Sequence, residues 1–111
     1  MKSADEQILN KILRETEYLQ TKVGKVSLDD FVSDETLKRA AAMSLLNIGE
    51  LAKRLSKEFQ DATSDIPYHK MIALRNLAAH GYFEIRFDDI WKTITTQIPI
   101  LRNRISEILN Y

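Results

Sequence analysis

Three glycines and two prolines in 111 residues leave this chain few places to turn. Gly and Pro are the strongest local punctuators of a polypeptide, and where they are scarce helices can run unbroken. Apolar residues recur at helical spacing to match. Ile8, Leu9, Ile12, Leu13, Thr16 and Leu19 form one stripe; Ile90, Trp91, Ile94, Ile98, Leu101, Ile105, Ile108 and Leu109 form another. The pattern predicts an all-α fold, an up-down four-helix bundle with a short extra helical turn, in a single domain over residues 1–111.

The punctuation sets the predicted boundaries. Ser3 and Glu6 have capping-box spacing ahead of a first helix over 4–22, which Val23-Gly24 ends. Ser27 caps a short helical turn over 27–31. A second long helix is predicted over 35–58, capped by Ser33 or Asp34, with Leu37, Ala41, Leu45, Ile48, Ala52 and Leu55 on its inner face. Gly49 within it costs about 1 kcal/mol relative to Ala. Close packing against another helix explains it most simply; a backbone approach to a ligand is the other reading. Residues 60–65 form a polar connection. Pro67 suits the first turn of a third helix that ends at His80, with Gly81 as a left-handed stop. Residues 82–87 are a loop, Asp88 caps the fourth helix, and Pro99 is expected to kink it.

Composition excludes several classes. Without cysteine there is neither a disulfide framework nor a thiolate metal site, which suits a reducing cytoplasm. No apolar run approaches the roughly 20 residues of a membrane span, and the N-terminus lacks the apolar stretch of a signal peptide. The expected location is cytoplasmic. Sixteen Lys and Arg balance sixteen Asp and Glu. That argues against a protein that coats nucleic acid through its net charge, yet leaves room for a local basic cleft. Near-zero charge also favours self-association. Two histidines without a carboxylate at ligand spacing make a poor metal site, so no metal and no cofactor are expected.

Against this background Arg75-Asn76-Leu77-Ala78-Ala79-His80-Gly81-Tyr82-Phe83 stands out. On a wheel of about 100° per residue, Met71, Leu74, Leu77 and Ala78 fill one arc, while Ile72 and Ala79 extend apolar character to the far side. The third helix is therefore expected to be nearly buried, against partners on more than one side. One stripe breaks the pattern: His69, Ala73, Asn76 and His80 must face water, a partner or a ligand. Asn76 shares a face with His80 and can fix its tautomer. Arg75 lies about 140° round from His80. Either its stem curls back, or residues from two chains complete one site; a helix this apolar suits a two-fold interface.

Each of these residues also has an ordinary reading. His80 can simply complement a helix dipole. Arg75 can be a surface ion-pair partner of Glu84 or Asp88, and Tyr82 can cover a loop-to-core junction. Trp91 and Phe83 read as core. Lys38-Arg39 and Lys53-Arg54 with Lys57 read as solvated faces, able to supply phosphate contacts.

The segment Leu74 through Phe83 resembles the signature of the HepT-like group of HEPN proteins, toxin halves of two-gene modules whose antitoxin is a minimal nucleotidyltransferase. Asn47-Ile48-Gly49-Glu50-Leu51-Ala52-Lys53-Arg54-Leu55 is similar to that group's second-helix segment. Ile66-Pro67-Tyr68 resembles its Ile-Pro-Trp lead-in, and Trp91 and Pro99 fall where its last helix often has Trp and Pro. Leu77 departs from the pattern, since a polar or basic residue is common there.

The resemblance implies an all-α homodimer, within a larger hetero-oligomer where the antitoxin binds. It implies a toxin of a type II-like toxin–antitoxin module that is a metal-independent endoribonuclease. RNA would be the substrate, Arg75 and His80 the catalytic pair in a composite cleft at the dimer axis, and Asn76 their support. It further implies that the nucleotidyltransferase antitoxin attaches AMP to Tyr82. On that basis His80 would act as general base on the RNA 2′-hydroxyl or general acid on the leaving 5′-oxygen. Arg75 would hold the scissile phosphate and stabilise its developing charge. The rival is a non-catalytic, dimeric nucleotide-binding or scaffold partner of the nucleotidyltransferase.

Overall fold

The computed structural model describes residues 3–111, with the side chains of Leu77, Ala78 and His80 outside that description. The described residues form α1 (Ser3–Lys22), α2 (Leu28–Ser33), α3 (Glu35–Arg54), α4 (Lys57–Ala62), α5 (Tyr68–His80), a 3₁₀ turn (Tyr82–Glu84) and α6 (Phe87–Leu109), and no strand. The fold is all-α, as expected. Among the described residues no helix is long and apolar enough to cross a membrane.

Three of the four long helices, α1, α3 and α6, follow the predicted stripes. Leu9, Ile12 and Leu19 of α1, Leu45 and Ile48 of α3, and Ile94 and Ile105 of α6 are all but sealed from solvent, and Phe31 of α2 is fully buried among them. Each such side chain contributes about 1.5–3 kcal/mol of burial. α1 packs on both α3 and α6, and α3 packs on α5. Among the described residues, contacts between α5 and α6 are sparse. An apolar groove of about 540 Å³ runs between them, floored by Met71, Leu74, Ile98 and Leu101.

The caps explain the boundaries. Ser27 Oγ accepts from the Asp30 amide at 3.2 Å and Asp34 Oδ1 from the Leu37 amide at 3.0 Å, starting α2 and α3. The predicted helix over 35–58 is in fact two. Leu55 is extended at φ −63°, ψ 140°, and Ser56 starts α4 by accepting from the Phe59 amide at 3.1 Å. The break is held from outside: buried Asp5 of α1 accepts from the Ser56 amide at 2.8 Å and from its hydroxyl at 2.7 Å. The Gln60 side-chain amide closes it by donating from its Nε2 to the Leu55 carbonyl at 3.0 Å.

Other boundaries move by a residue or two. Pro67 immediately precedes α5. Gly81 ends it at φ 155°, ψ 127°, a glycine-favouring conformation but not the left-handed helical stop expected. Asp88 does not cap α6; Arg86 precedes the helix, and Asp88 and Asp89 lie in its first turn, where negative charge complements the dipole. α6 runs through Pro99. Trp91 joins the core edge and donates its indole N–H to the Val26 carbonyl at 2.9 Å. Phe83 does not: at 89% exposure it is a surface residue.

Candidate functional site

The predicted site residues divide between the two ends of α3. Near its C-terminal end, buried Gly49 faces α5. A Cβ at Gly49 would overlap the Arg75 Cβ and stand 2.9 Å from the Met71 carbonyl oxygen. The glycine is thus there for close helix packing, and what packs over it is the stem of Arg75. The next residue, Glu50, accepts a charge-assisted hydrogen bond from Arg75 Nε. That bond, ahead of the other nearby cations, holds the Glu50 carboxyl below its usual range. Arg75 Nη1 donates to Asn76 Oδ1 at 3.1 Å.

The guanidinium is therefore gripped on two edges, Nε and Nη1. Its side chain stays about one-third exposed, so it can still meet an anion. The partner is Glu50, not the Glu84 or Asp88 that sequence proximity offered; Asp88 pairs with Arg86 at 3.6 Å. Glu50 is also the member of this cluster that sequence reading did not single out. It stood inside the quoted Ile48-Gly49-Glu50 segment, and a carboxylate beside a helix-packing glycine was the available signal.

His80 closes α5, and its side chain lies outside the described residues. The rest of its stripe behaves as expected: His69, Ala73 and Asn76 are exposed. The expectation of a nearly buried α5 does not hold within one chain. Ala73 and Ala79 are exposed, and Ile72 and Leu74 only half-buried, because α5 has one firm neighbour, α3, and an open flank.

Tyr82 belongs to the other end of α3. Its hydroxyl donates to Glu35 Oε1 at 2.7 Å. The Arg39 guanidinium lies 4.3 Å from its ring centroid, and the Phe83 and Phe87 rings pack at 5.5 and 5.3 Å. Glu35 also pairs with Lys38 at 3.2 Å and Arg39 at 3.1 Å. The Tyr82 bond is the main cause of a lowered Glu35 carboxyl. Burial first, and then that same bond, push the Tyr82 hydroxyl above its usual range, so it is protonated at neutral pH. Glu35 and Glu50 stand fifteen residues apart on α3, about 22 Å of helix. Within one chain, then, Arg75 with Asn76 and Tyr82 with Arg39 are separate clusters.

Residues 12–108 match the family described as ribonuclease HepT-like. A protein of Caldanaerobacter subterraneus subsp. tengcongensis, provisionally named an RNase, is 41% identical over 101 residues, covering 91% of this chain and 90% of its own. A Thermococcus cleftensis protein, provisionally named ribonuclease HepT, is 26% identical over 108 residues, 97% of this chain and 98% of its own. One from Methanocaldococcus jannaschii, provisionally named an RNase, is 31% identical over 84 residues, 76% of this chain and 69% of its own. No solved structure gives a significant match.

Proposed function

The chain belongs to the HepT-like ribonuclease family, and from that premise we propose that it is a metal-independent endoribonuclease whose catalytic pair is Arg75 and His80. The observation that carries this reading is the grip on Arg75. Gly49 admits its stem, and Glu50 and Asn76 fix its guanidinium on the helix that ends at His80. Such preorganisation is what a group that stabilises charge in a transition state needs. Arg75 binds the scissile phosphate. His80 takes the proton from the 2′-hydroxyl, which attacks phosphorus; the P–O5′ bond breaks, and the leaving 5′-oxygen takes a proton from a second imidazole. The products are a 2′,3′-cyclic phosphate and a 5′-hydroxyl.

Two imidazoles require two chains. The open flank of α5, with the apolar groove beside it and Ile100 of α6 65% exposed, supports a two-fold homodimer that joins two Arg75–His80 sets. In the cell the protein acts as the toxin of a cytoplasmic toxin–antitoxin module. Its antitoxin is a minimal nucleotidyltransferase that attaches AMP to Tyr82. Arg39, over the Tyr82 ring, is placed to receive the added phosphate. The bulk and negative charge of AMP then exclude RNA.

The test is cleavage of a mixed RNA in EDTA by wild-type and His80→Ala protein. A loss of at least ~10²-fold in the variant is expected, with antitoxin binding intact. Equal cutting by the variant overturns the assignment of His80. A dimeric wild type that cuts nothing overturns the ribonuclease reading in favour of a scaffold.

A further inference from the structure

Beside Glu50, α1 and α3 enclose a second hollow of about 360 Å³. Lys11, Arg14 and Glu15 line it from α1, and Asn47, Glu50 and Arg54 from α3. On the reading that this chain cuts RNA, we propose that the hollow holds the RNA backbone next to the cut, with Lys11, Arg14 and Arg54 on phosphates flanking the one bound by Arg75.

The pairing pattern of the arginines carries this. Of the seven in the chain, Arg39, Arg75, Arg86, Arg102 and Arg104 each pair with a carboxylate. The two without an ion pair among the described residues are Arg14 and Arg54, and both line this hollow. Lys11, on the same rim, is likewise unpaired among the described residues, and all three are exposed. In a chain of zero net charge, the hollow gathers three cations against two carboxylates, Glu15 and Glu50, a local excess of positive charge.

The carboxylates at the hollow are already engaged. Glu15 accepts from Ser44 Oγ at 2.8 Å and Asn47 Nδ2 at 3.2 Å, and Glu50 accepts from Arg75. Glu50 thus lines the hollow and grips the motif arginine, making the two continuous. Arg54 stands one turn beyond Glu50, about 6 Å along α3, a step suited to the next phosphate of a strand. A dock for an acidic protein would use the same charges but not this continuity with Arg75.

The experiment is binding of a 2′-O-methyl RNA 12-mer, which cannot be cut, from 50 to 200 mM salt. Wild type is compared with K11Q/R14Q/R54Q and with the charge-keeping K11R/R14K/R54K. The neutralised variant should bind at least ~10-fold more weakly at the low-salt end. Its slope of log K against log salt should be shallower by about 2, at roughly 0.7 per lost phosphate contact; the charge-keeping variant should match wild type. Equal affinity and slope in the neutralised variant overturn the proposal. So does loss of a co-purifying acidic protein while RNA binding is unchanged. If wild type leaves ordinary RNA intact while the neutralised variant loses binding, the RNA-binding hollow stands and the ribonuclease reading alone fails. Should the triple variant lose its helical signal, the three single substitutions carry the test, each expected to shift the slope by about 0.7.

Discussion

The α1–α6 side of the bundle and the α5 side are built on different terms. Between α1, α3 and α6, Ile12 and Ile94 are fully buried and the packing is apolar. Along α5, Met71 is buried, but Ala73, Asn76 and Ala79 face outward and a groove separates the helix from α6. The tight seam of α5 at Gly49 holds an arginine stem and not an aliphatic side chain. On the proposed function, stability and chemistry fall on opposite flanks. A substitution should reveal its flank by which quantity it moves.

The largest separation is expected from Arg75→Ala. Activity should fall by ~10²–10³, as for loss of one transition-state-stabilising group. The thermal midpoint should fall only slightly, by about as much as the loss of the same pair in Glu50→Gln, because the side chain is part-exposed. Steady-state cleavage beside a melting curve checks both. Ile94→Ala is the converse. It should cost about 2–5 kcal/mol of folding free energy, read from chemical denaturation, with near-normal activity per folded molecule at low temperature. Parallel loss of activity and stability in both variants would break the division.

Gly49→Ala sits on the seam. The new methyl overlaps the Arg75 stem and crowds the Met71 carbonyl, so α5 must shift, costing about 1–3 kcal/mol and lowering activity as well. It is the substitution expected to move both quantities. A gain in stability would show that α5 does not lie this close to α3.

Glu50→Gln should act more gently. It removes the charge from the Arg75 grip while keeping the shape, and a loss of activity on the order of tenfold is expected from poorer positioning. Its pH signature has a definite sign. Arg75 lowers the folded Glu50 carboxyl. The stabilising difference between wild type and Glu50→Gln is therefore fully present above the ordinary carboxylate range, and is lost as pH falls through the lowered value. Melting curves of both proteins from neutral to acid pH should converge only at the acid end. Convergence near neutrality would mean that the pair is not formed.

Much of this contrast was legible in the sequence. The helical stripes marked the α1, α3 and α6 core because burial follows periodicity, and the outward positions of His69, Ala73 and Asn76 followed from the same wheel. Gly49 was correctly read as a packing residue. Two of the failures share a physical cause: a local pattern yielded to a distant partner. The Leu51 and Leu55 spacing suggested one helix through residue 58, but Asp5, far away in the chain, holds Ser56 as a cap and breaks it. Arg75 found its carboxylate on α3 and not in the following loop. Phe83 looked like core because of its side chain, yet the 3₁₀ turn aims it at solvent. The wheel could not show that Tyr82 and Arg75 would bind opposite ends of α3.

The most direct measurement of the central claim uses an RNA with one mapped cleavage site and the same RNA carrying a single 2′-deoxynucleotide immediately 5′ of it. Both are incubated in EDTA with wild-type protein, and the product ends are identified. Cleavage of the all-ribose strand to a 2′,3′-cyclic phosphate and a 5′-hydroxyl, with the substituted position uncut, is the expected result. Cutting at the 2′-deoxy position at a comparable rate would contradict attack by the 2′-hydroxyl, and with it the roles given to His80 and Arg75.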